Sequence, residues 1–278
     1  MLAANFWRFN PPDPDAVRAV ALYTEILNSV NIIGHEYSSL TTTLGSYAVK
    51  KVSEDPVAAA LMVRLLKDSG AVPDAVAAIN ASGSFPGFSL AALSACAVLG
   101  IETYVIASVG ASTYGANIPG NTIADMLLTD DVRRLGFTLL AVTPGGSNDR
   151  GQELDPDELE RIEALLRVQG IPFIRPAGLE EAIAVRESLF GKAGCSLLVN
   201  IGGTHASSGA NTGLALLSGI ITPDSKLLFD DPGLMQSFLR QGMPVIQILN
   251  VRALYSSYGL EFDQTGKITQ GRDRALRR

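Results

Sequence analysis

The stretch AVAAINASGSFPGFSLAALSACAVLGIETYVIAS, Ala75 to Ser108, decides how this chain folds. Ala75–Asn80 and Thr103–Ser108 are apolar runs of strand length, and Phe88–Leu99 between them is long enough for a helix. The polar loop Ser82-Gly83-Ser84-Phe85-Pro86-Gly87 joins the first strand to that helix. Strand, helix and strand in this order form a βαβ unit, whose two strands lie parallel in one sheet.

Outward from this unit the alternation continues. Towards the N-terminus, Asp15 is placed to cap a helix running to about Val30, and Asp55-Pro56 starts another that Gly70 ends. The hydroxyl-rich loop from Tyr37 to Gly45 separates them. Towards the C-terminus, helices are predicted at Asn121–Leu135, Asp155–Gln169, Gly178–Gly191 and Pro232–Gln241. Strands are predicted at Thr138–Val142, Ile171–Ile174, Ser196–Ile201 and Val245–Leu249. The pattern predicts an α/β fold, a mainly parallel sheet with helices on both faces in a Rossmann-like three-layer arrangement. An N-terminal helical segment (1–30), an α/β domain (31–265, with room for a small lobe at about 151–195) and a basic tail (266–278) are the expected divisions.

Hydrophobic residues make up 47% of the 278 residues and charged ones 18%, with a mean hydropathy of +0.22, which suits a sheet buried on both faces. The net charge of −6 argues against nucleic-acid binding, which needs a basic footprint. Arg272, Arg274, Arg277 and Arg278 read as a solvated end. No apolar run reaches the ~18–20 residues that span a bilayer, so no membrane insertion by this sequence is expected. The start, with Phe6, Trp7 and Phe9 followed by prolines, lacks the pattern of a secretion signal. Cys96 and Cys195 have no metal-ligand spacing and read as buried thiols, although a pairing depends on distances that sequence does not supply.

Four polar loops each follow a predicted strand, and in open parallel sheets the ligand crevice lies outside those strand ends. Ser82, Gly83 and Ser84 offer hydroxyls and close backbone approach at the start of a helix, where an anion is favoured. The loop matches neither a phosphate-binding P-loop, a dinucleotide fingerprint nor a nucleophile elbow. Ser112, Thr113 and Asn117 lie between or beside Gly110 and Gly115, and Gly202, Gly203 and His205 follow the strand at Ser196–Ile201. Gly145 to Asp149 adds a carboxylate. Upstream, Thr41, Thr42 and Thr43 precede Lys50 and Lys51, which can neutralise a phosphate or carboxylate. Each loop also has a structural explanation, as a capped turn or a solvated face. Two histidines exist, His35 beside Glu36 and His205, and His205 is the better general base by position. A Ser84, His205 and Asp149 relay is chemically conceivable. No cofactor motif is evident; a Mg²⁺ held by Asp125 or Asp149 with a ligand phosphate is the one metal reading left open.

Ile33 to Gly45, Ser82 to Gly87 and Ser108 to Asn117 closely resemble the poly-gamma-glutamate system proteins. Asn200 to Gly203, Pro244 to Asn250 and Tyr258 to Leu260 fit the same family, so the resemblance spans about residues 30–263. Leu260 to Gln264 departs from the family's Leu-Pro-Trp-Asp-Pro ending, and Lys50-Lys51 stands where a lysine-arginine pair is expected. The resemblance implies an accessory role in bacterial synthesis or export of poly-γ-glutamate, with other components of that system as partners. Members commonly begin with an apolar anchor, which this sequence does not show; the resemblance implies the extracytoplasmic side of the cell envelope if such an anchor has been trimmed away, with the cytoplasm as the alternative. The expected ligand is a polymer end or another small anion. The expected role is binding it, or hydrolysis or acyl transfer through Ser84 or a threonine of 41–43. A cytoplasmic enzyme acting on a phosphorylated small molecule is the third expectation.

Overall fold

Alternation of apolar strands with amphipathic or buried helices recurs in the computed structural model, which describes residues 11–70, 75–209, 213, 216–224 and 232–277. In chain order the main elements are α1 (Pro14–Leu27), β1 (Thr41–Thr43), α2 (Tyr47–Lys51), α3 (Val57–Asp68), β2 (Val76–Ser82), α4 (Pro86–Leu99) and β3 (Glu102–Ser108). Then come β4 (Ala111–Ser112), α5 (Ile123–Leu127), β5 (Thr138–Thr143), α6 (Pro156–Val168), α7 (Leu179–Lys192) and β6 (Leu197–Ile201). The last are α8 (His205–Ser208), β7 (Gly219–Ile221), α9 (Leu234–Arg240), β8 (Val245–Ile248) and α10 (Val251–Ser257). Among the described residues no helix is long and apolar enough to cross a membrane.

The central sheet runs β5-β3-β2-β6-β8-β7, parallel throughout except for β7, which pairs antiparallel with β8 at the edge. The chain builds β2, β3 and β5 outward, then returns to place β6 on the other side of β2. That reversal makes a switch point between β2 and β6, where connections leave in opposite directions and open a crevice.

Helices cover both faces. On one side α4 lies against the sheet and is itself covered by α1 and α3; every residue from Pro86 to Cys96 is buried. Its two internal serines satisfy their hydroxyls on the turn before, Ser89 on the Phe85 carbonyl and Ser94 on that of Leu90. On the other side Phe190 of α7 and Phe238 of α9 pack with Ala78, Ile106, Leu198 and Val245 of the sheet. This is the α/β arrangement with a mainly parallel sheet that the alternation predicts.

Several expectations are corrected. Residues 151–195 form no lobe: α6 buries Leu159, Ile162 and Leu166 in the main core, and α7 packs on the sheet. The N-terminal helix belongs to the same core, with Asp13 rather than Asp15 as its cap. Its buried Tyr23 hydroxyl lies 2.8 Å from the Gly87 carbonyl oxygen and 2.9 Å from that of Ser53. The expected basic tail is structured: Ile268–Gln270 pairs with Glu261–Phe262, Arg272 pairs with Asp55, and the Leu276 carbonyl accepts from Asp13 N–H. Ile171–Ile174 is no strand beyond a single bridge from Phe173 to Val142. The helix expected over Asn121–Leu135 is two short ones, α5 and Asp130–Arg133. Cys96 and Cys195 are buried free thiols. Phe6, Trp7, Phe9 and Arg278 lie outside the described residues.

Under the strand ends lies a buried polar layer centred on Arg186 of α7, which is fully buried. Its Nε donates to Asn80 Oδ1 (3.1 Å), Nη1 to Asp149 Oδ2 (2.7 Å) and the Ala182 carbonyl (2.9 Å). Nη2 donates to Ser108 Oγ (3.0 Å) and Thr143 Oγ1 (2.9 Å), so all five guanidinium protons are placed. The row continues from Asn80 Nδ2 to Asn200 Oδ1 (2.7 Å), and from Asn200 Nδ2 to Gln247 Oε1 (2.6 Å). Each parallel strand thus contributes one polar side chain. Removing one partner of a buried pair leaves an uncompensated charge. Arg186→Met is therefore expected to destabilise the fold by about 3–5 kcal/mol in urea unfolding. Adding Asp149→Asn to that variant is expected to restore part of the loss, because the orphaned charge is then gone.

Candidate functional site

The loops that follow β2, β3, β5, β6 and β8 meet at the C-terminal edge of the sheet around a cleft of about 490 Å³, a size that suits a small molecule. Ser82, Ser84 and Phe85 come from the first loop, and Gly110 and Ser112 from the second. Gly146, Ser147 and Glu153 line it from the third, Gly203, Thr204 and His205 from the fourth, and Leu249 from the fifth. The segment from Thr42 to Lys50 closes the remaining side.

That segment is pinned by local pairing. β1 lies parallel to β4, with Thr41 opposite Ala111 and Thr43 opposite Ser112. Asn117 clamps it from below: its Oδ1 accepts from His35 N–H (2.9 Å), and its Nδ2 donates to the His35 carbonyl (2.9 Å) and Thr41 Oγ1 (2.8 Å). Thr113 Oγ1 donates to the Gly45 carbonyl (2.9 Å) and accepts from Gly45 N–H (2.7 Å). Gly34 must be glycine here, because a Cβ would sit 1.9 Å from the Gly115 carbonyl oxygen.

Lys50 occupies the wall of the cleft, on the last turn of α2, and is only 3% exposed. Its Nζ donates to the Ser84 carbonyl and lies 3.5 Å from the centroid of the Phe85 ring. No carboxylate among the described residues pairs with it, and burial pulls its pKa down from 10.5 to about 7. Lys51, one residue on, is the opposite case. It is 40% exposed, pairs with Glu54, and that hydrogen bond raises its pKa.

Ser112 Oγ is buried in the cleft wall with no hydrogen-bond partner among the described residues. Buried hydroxyls are normally satisfied, so this one is available to a ligand. Ser84 is half-buried and its Oγ accepts from Ser112 N–H (2.9 Å). His205 is exposed at the rim, on the first residue of α8. Glu153 is the one carboxylate in the lining among the described residues, and its Oε1 accepts from Ser147 N–H (2.7 Å).

Of the residues predicted to bind ligand, Thr42, Thr43, Lys50, Ser82, Ser84, Ser112 and Gly203 line the cleft. The others do not. Thr41, Thr113 and Asn117 spend their polar groups on the clamp described above. Gly83 approaches protein rather than ligand, since a Cβ there would sit 2.5 Å from the Val109 carbonyl oxygen, and at Gly202 one would meet Ser82 Cβ at 2.7 Å. Gly87 likewise faces Ser53 and Ile32, so the cleft lining from this loop stops at Phe85 and excludes the helix start. Lys51 points elsewhere. Asp149 is corrected as a general base. Its two oxygens are held by Thr143 and Arg186 in the buried layer, outside the cleft, so the Ser84, His205 and Asp149 relay is not assembled. The Mg²⁺ reading fares no better: Asp125 caps α5 through Thr122 and pairs with Arg161 at 2.8 Å, and no metal-binding cluster of His, Cys, Asp and Glu occurs among the described residues.

Ser46, Ser147, Glu153 and Thr204 also line the cleft, beyond the residues that the sequence predicts. Thr204 lies in a loop that sequence places at a strand end, whereas Glu153 sits among charges typical of a solvated turn and carries no local signal. Arg186 likewise does not stand out in the sequence. The signal it does carry is spacing: Ala182, Arg186 and Phe190 fall four residues apart on the buried stripe of α7.

No protein-family model and no curated protein matches the chain. Among solved structures, O-ureido-L-serine synthase with O-ureido-L-serine bound is 13% identical, over 67% of this chain and 64% of that one, with a TM-score of 0.25. A pyridoxal 5′-phosphate-dependent aspartate racemase is 10% identical over 68% and 55%, with a TM-score of 0.20. Diaminopropionate ammonia lyase from Escherichia coli is 10% identical over 69% and 54%, at 0.21. The chain thus spans less than two thirds of each of these structures, and likenesses of this order say nothing of ligand or reaction.

The environment of Lys50 has a thermodynamic consequence. Between pH 7 and 10.5 the unfolded chain holds a proton on this lysine that the folded chain has released, so the group makes stability rise with pH across that window. Lys50→Met is expected to remove this rise and to stabilise the protein at neutral pH by about 1–2 kcal/mol, read from thermal unfolding across the pH range.

Proposed function

We propose that the cleft binds a small anionic ligand through a carboxylate or phosphate group, with Lys50 as its counter-charge. The observation that carries this reading is the uncompensated lysine: a buried ammonium is normally paired with an acid, and among the described residues no such partner is present. An anion in the cleft supplies that partner and favours the charged lysine. The hydroxyls of Thr43, Ser84 and Ser112 add neutral donors around it.

Following the resemblance in sequence, we propose the end of a poly-γ-glutamate chain, or a short γ-glutamyl precursor, as the ligand of an accessory protein in that synthesis or export system. A chain end suits the site better than a long polyanion, because the net charge of −6 repels polymer lying along the surface. Other proteins of such a system are the proposed partners, and the extracytoplasmic side of the envelope the proposed location.

Calorimetric titration with γ-glutamylglutamate and with inorganic phosphate tests the site. Binding is expected in the wild type, weaker as pH rises above 7, with a proton taken up on binding at alkaline pH. Lys50→Met is expected to lose about tenfold or more in affinity, the worth of one charge-assisted hydrogen bond. Equal affinity in wild type and variant removes Lys50, and with it this reading of the cleft.

A further inference from the structure

We infer that Lys50 is an imine-forming lysine, whose Nζ condenses with the carbonyl carbon of a small aldehyde carrying a carboxylate or phosphate. The inference rests on the anion-binding reading of the cleft and adds a covalent bond to it.

Two adjacent lysines provide the comparison. Lys51 is solvated and paired with Glu54, and stays an ammonium. Lys50 is buried, has no carboxylate partner among the described residues and faces the cleft, with the Phe85 ring against its Nζ. Only an uncharged amine attacks a carbonyl, and burial gives Lys50 a substantial uncharged fraction at neutral pH. The backbone supplies direction: the Ser84 carbonyl accepts one proton of Nζ and holds the nitrogen at the wall.

Ser112 supplies a second, independent observation. Its Oγ is buried in the same wall and unpartnered among the described residues, placed to bind an oxygen of the incoming molecule. With Ser84, whose Oγ accepts from Ser112 N–H and keeps its own proton for a ligand, it forms a neutral cradle for the anionic group.

The step balances without redox change. Nζ forms a bond to the carbonyl carbon, and the aldehyde oxygen leaves as water with the two hydrogens of the amine. One further proton from solvent gives the iminium. The positive charge that met the anion is thereby kept on the same nitrogen.

The test uses two anionic aldehydes, glyoxylate for a carboxylate and pyridoxal 5′-phosphate for a phosphate, each incubated with the full chain and cyanoborohydride, followed by peptide mapping. Expected is a single secondary-amine adduct on Lys50, formed about tenfold or more faster than on Lys51 in the same molecule. Inorganic phosphate is expected to slow it, and the faster of the two aldehydes names the preferred anion. The comparison of two lysines within the wild type needs no variant; Lys50→Arg, checked for its unfolding temperature, is expected to keep anion binding and lose the adduct. Labelling of Lys50 no faster than of Lys51 overturns the inference. Binding of phosphate or γ-glutamylglutamate without an adduct overturns the imine alone, whereas loss of both overturns the anion-binding reading as well.

Discussion

A fully buried guanidinium beneath the strand ends is the constraint on which this fold turns. Arg186 cannot shed its charge, so five acceptors must be brought to it, and they come from α7 itself, β2, β3, β5 and the loop after β5. Meeting that demand ties the helix layer to the sheet. It also holds Asp149, and with it the turn in which Asn148 and Asp149 take left-handed backbone conformations (φ 53° and 63°). That turn carries Gly146 and Ser147 to the cleft. The polar layer is thus the floor on which the site stands, although none of its members is proposed to touch a ligand.

Lys50 stands in contrast to it. Among the described residues two cations are buried, and the protein neutralises the first with Asp149 whereas the second meets a backbone carbonyl and an aromatic face. The difference follows from chemistry. Guanidinium keeps its proton whatever its surroundings, so it must be paired, whereas a buried amine relieves the same cost by releasing its proton. An arginine at position 50 has no such relief, and the distinction between the two residue types is what makes the cleft wall adjustable.

Much of the architecture is legible along the chain. β2, β3, β5, β6 and β8 lie within two residues of the apolar runs that announce them, because a strand buried on both faces needs little beyond such a run. Ile171–Ile174 has the same composition yet only bridges Val142, since Pro172 removes a donor from any ladder. The C-terminal arginines illustrate the converse. They read as a solvated end, but Arg272 meets Asp55 across more than two hundred residues, a distance no local pattern spans.

For the site, what sequence alone determined is that polar, glycine-rich loops follow the strands of a βαβ series. Those loops gather at one edge because parallel strands share a direction and their C-terminal ends therefore share a side. Tertiary structure decided which side chains face the cleft and which hold it up. Ser112 and Thr113 are neighbours in sequence, yet the hydroxyl of one has no partner among the described residues of the wall and that of the other is spent on Gly45. Lys50 and Lys51 divide in the same way. Backbone direction and residue type are local properties, whereas burial and partner choice depend on segments that meet only after the chain has folded.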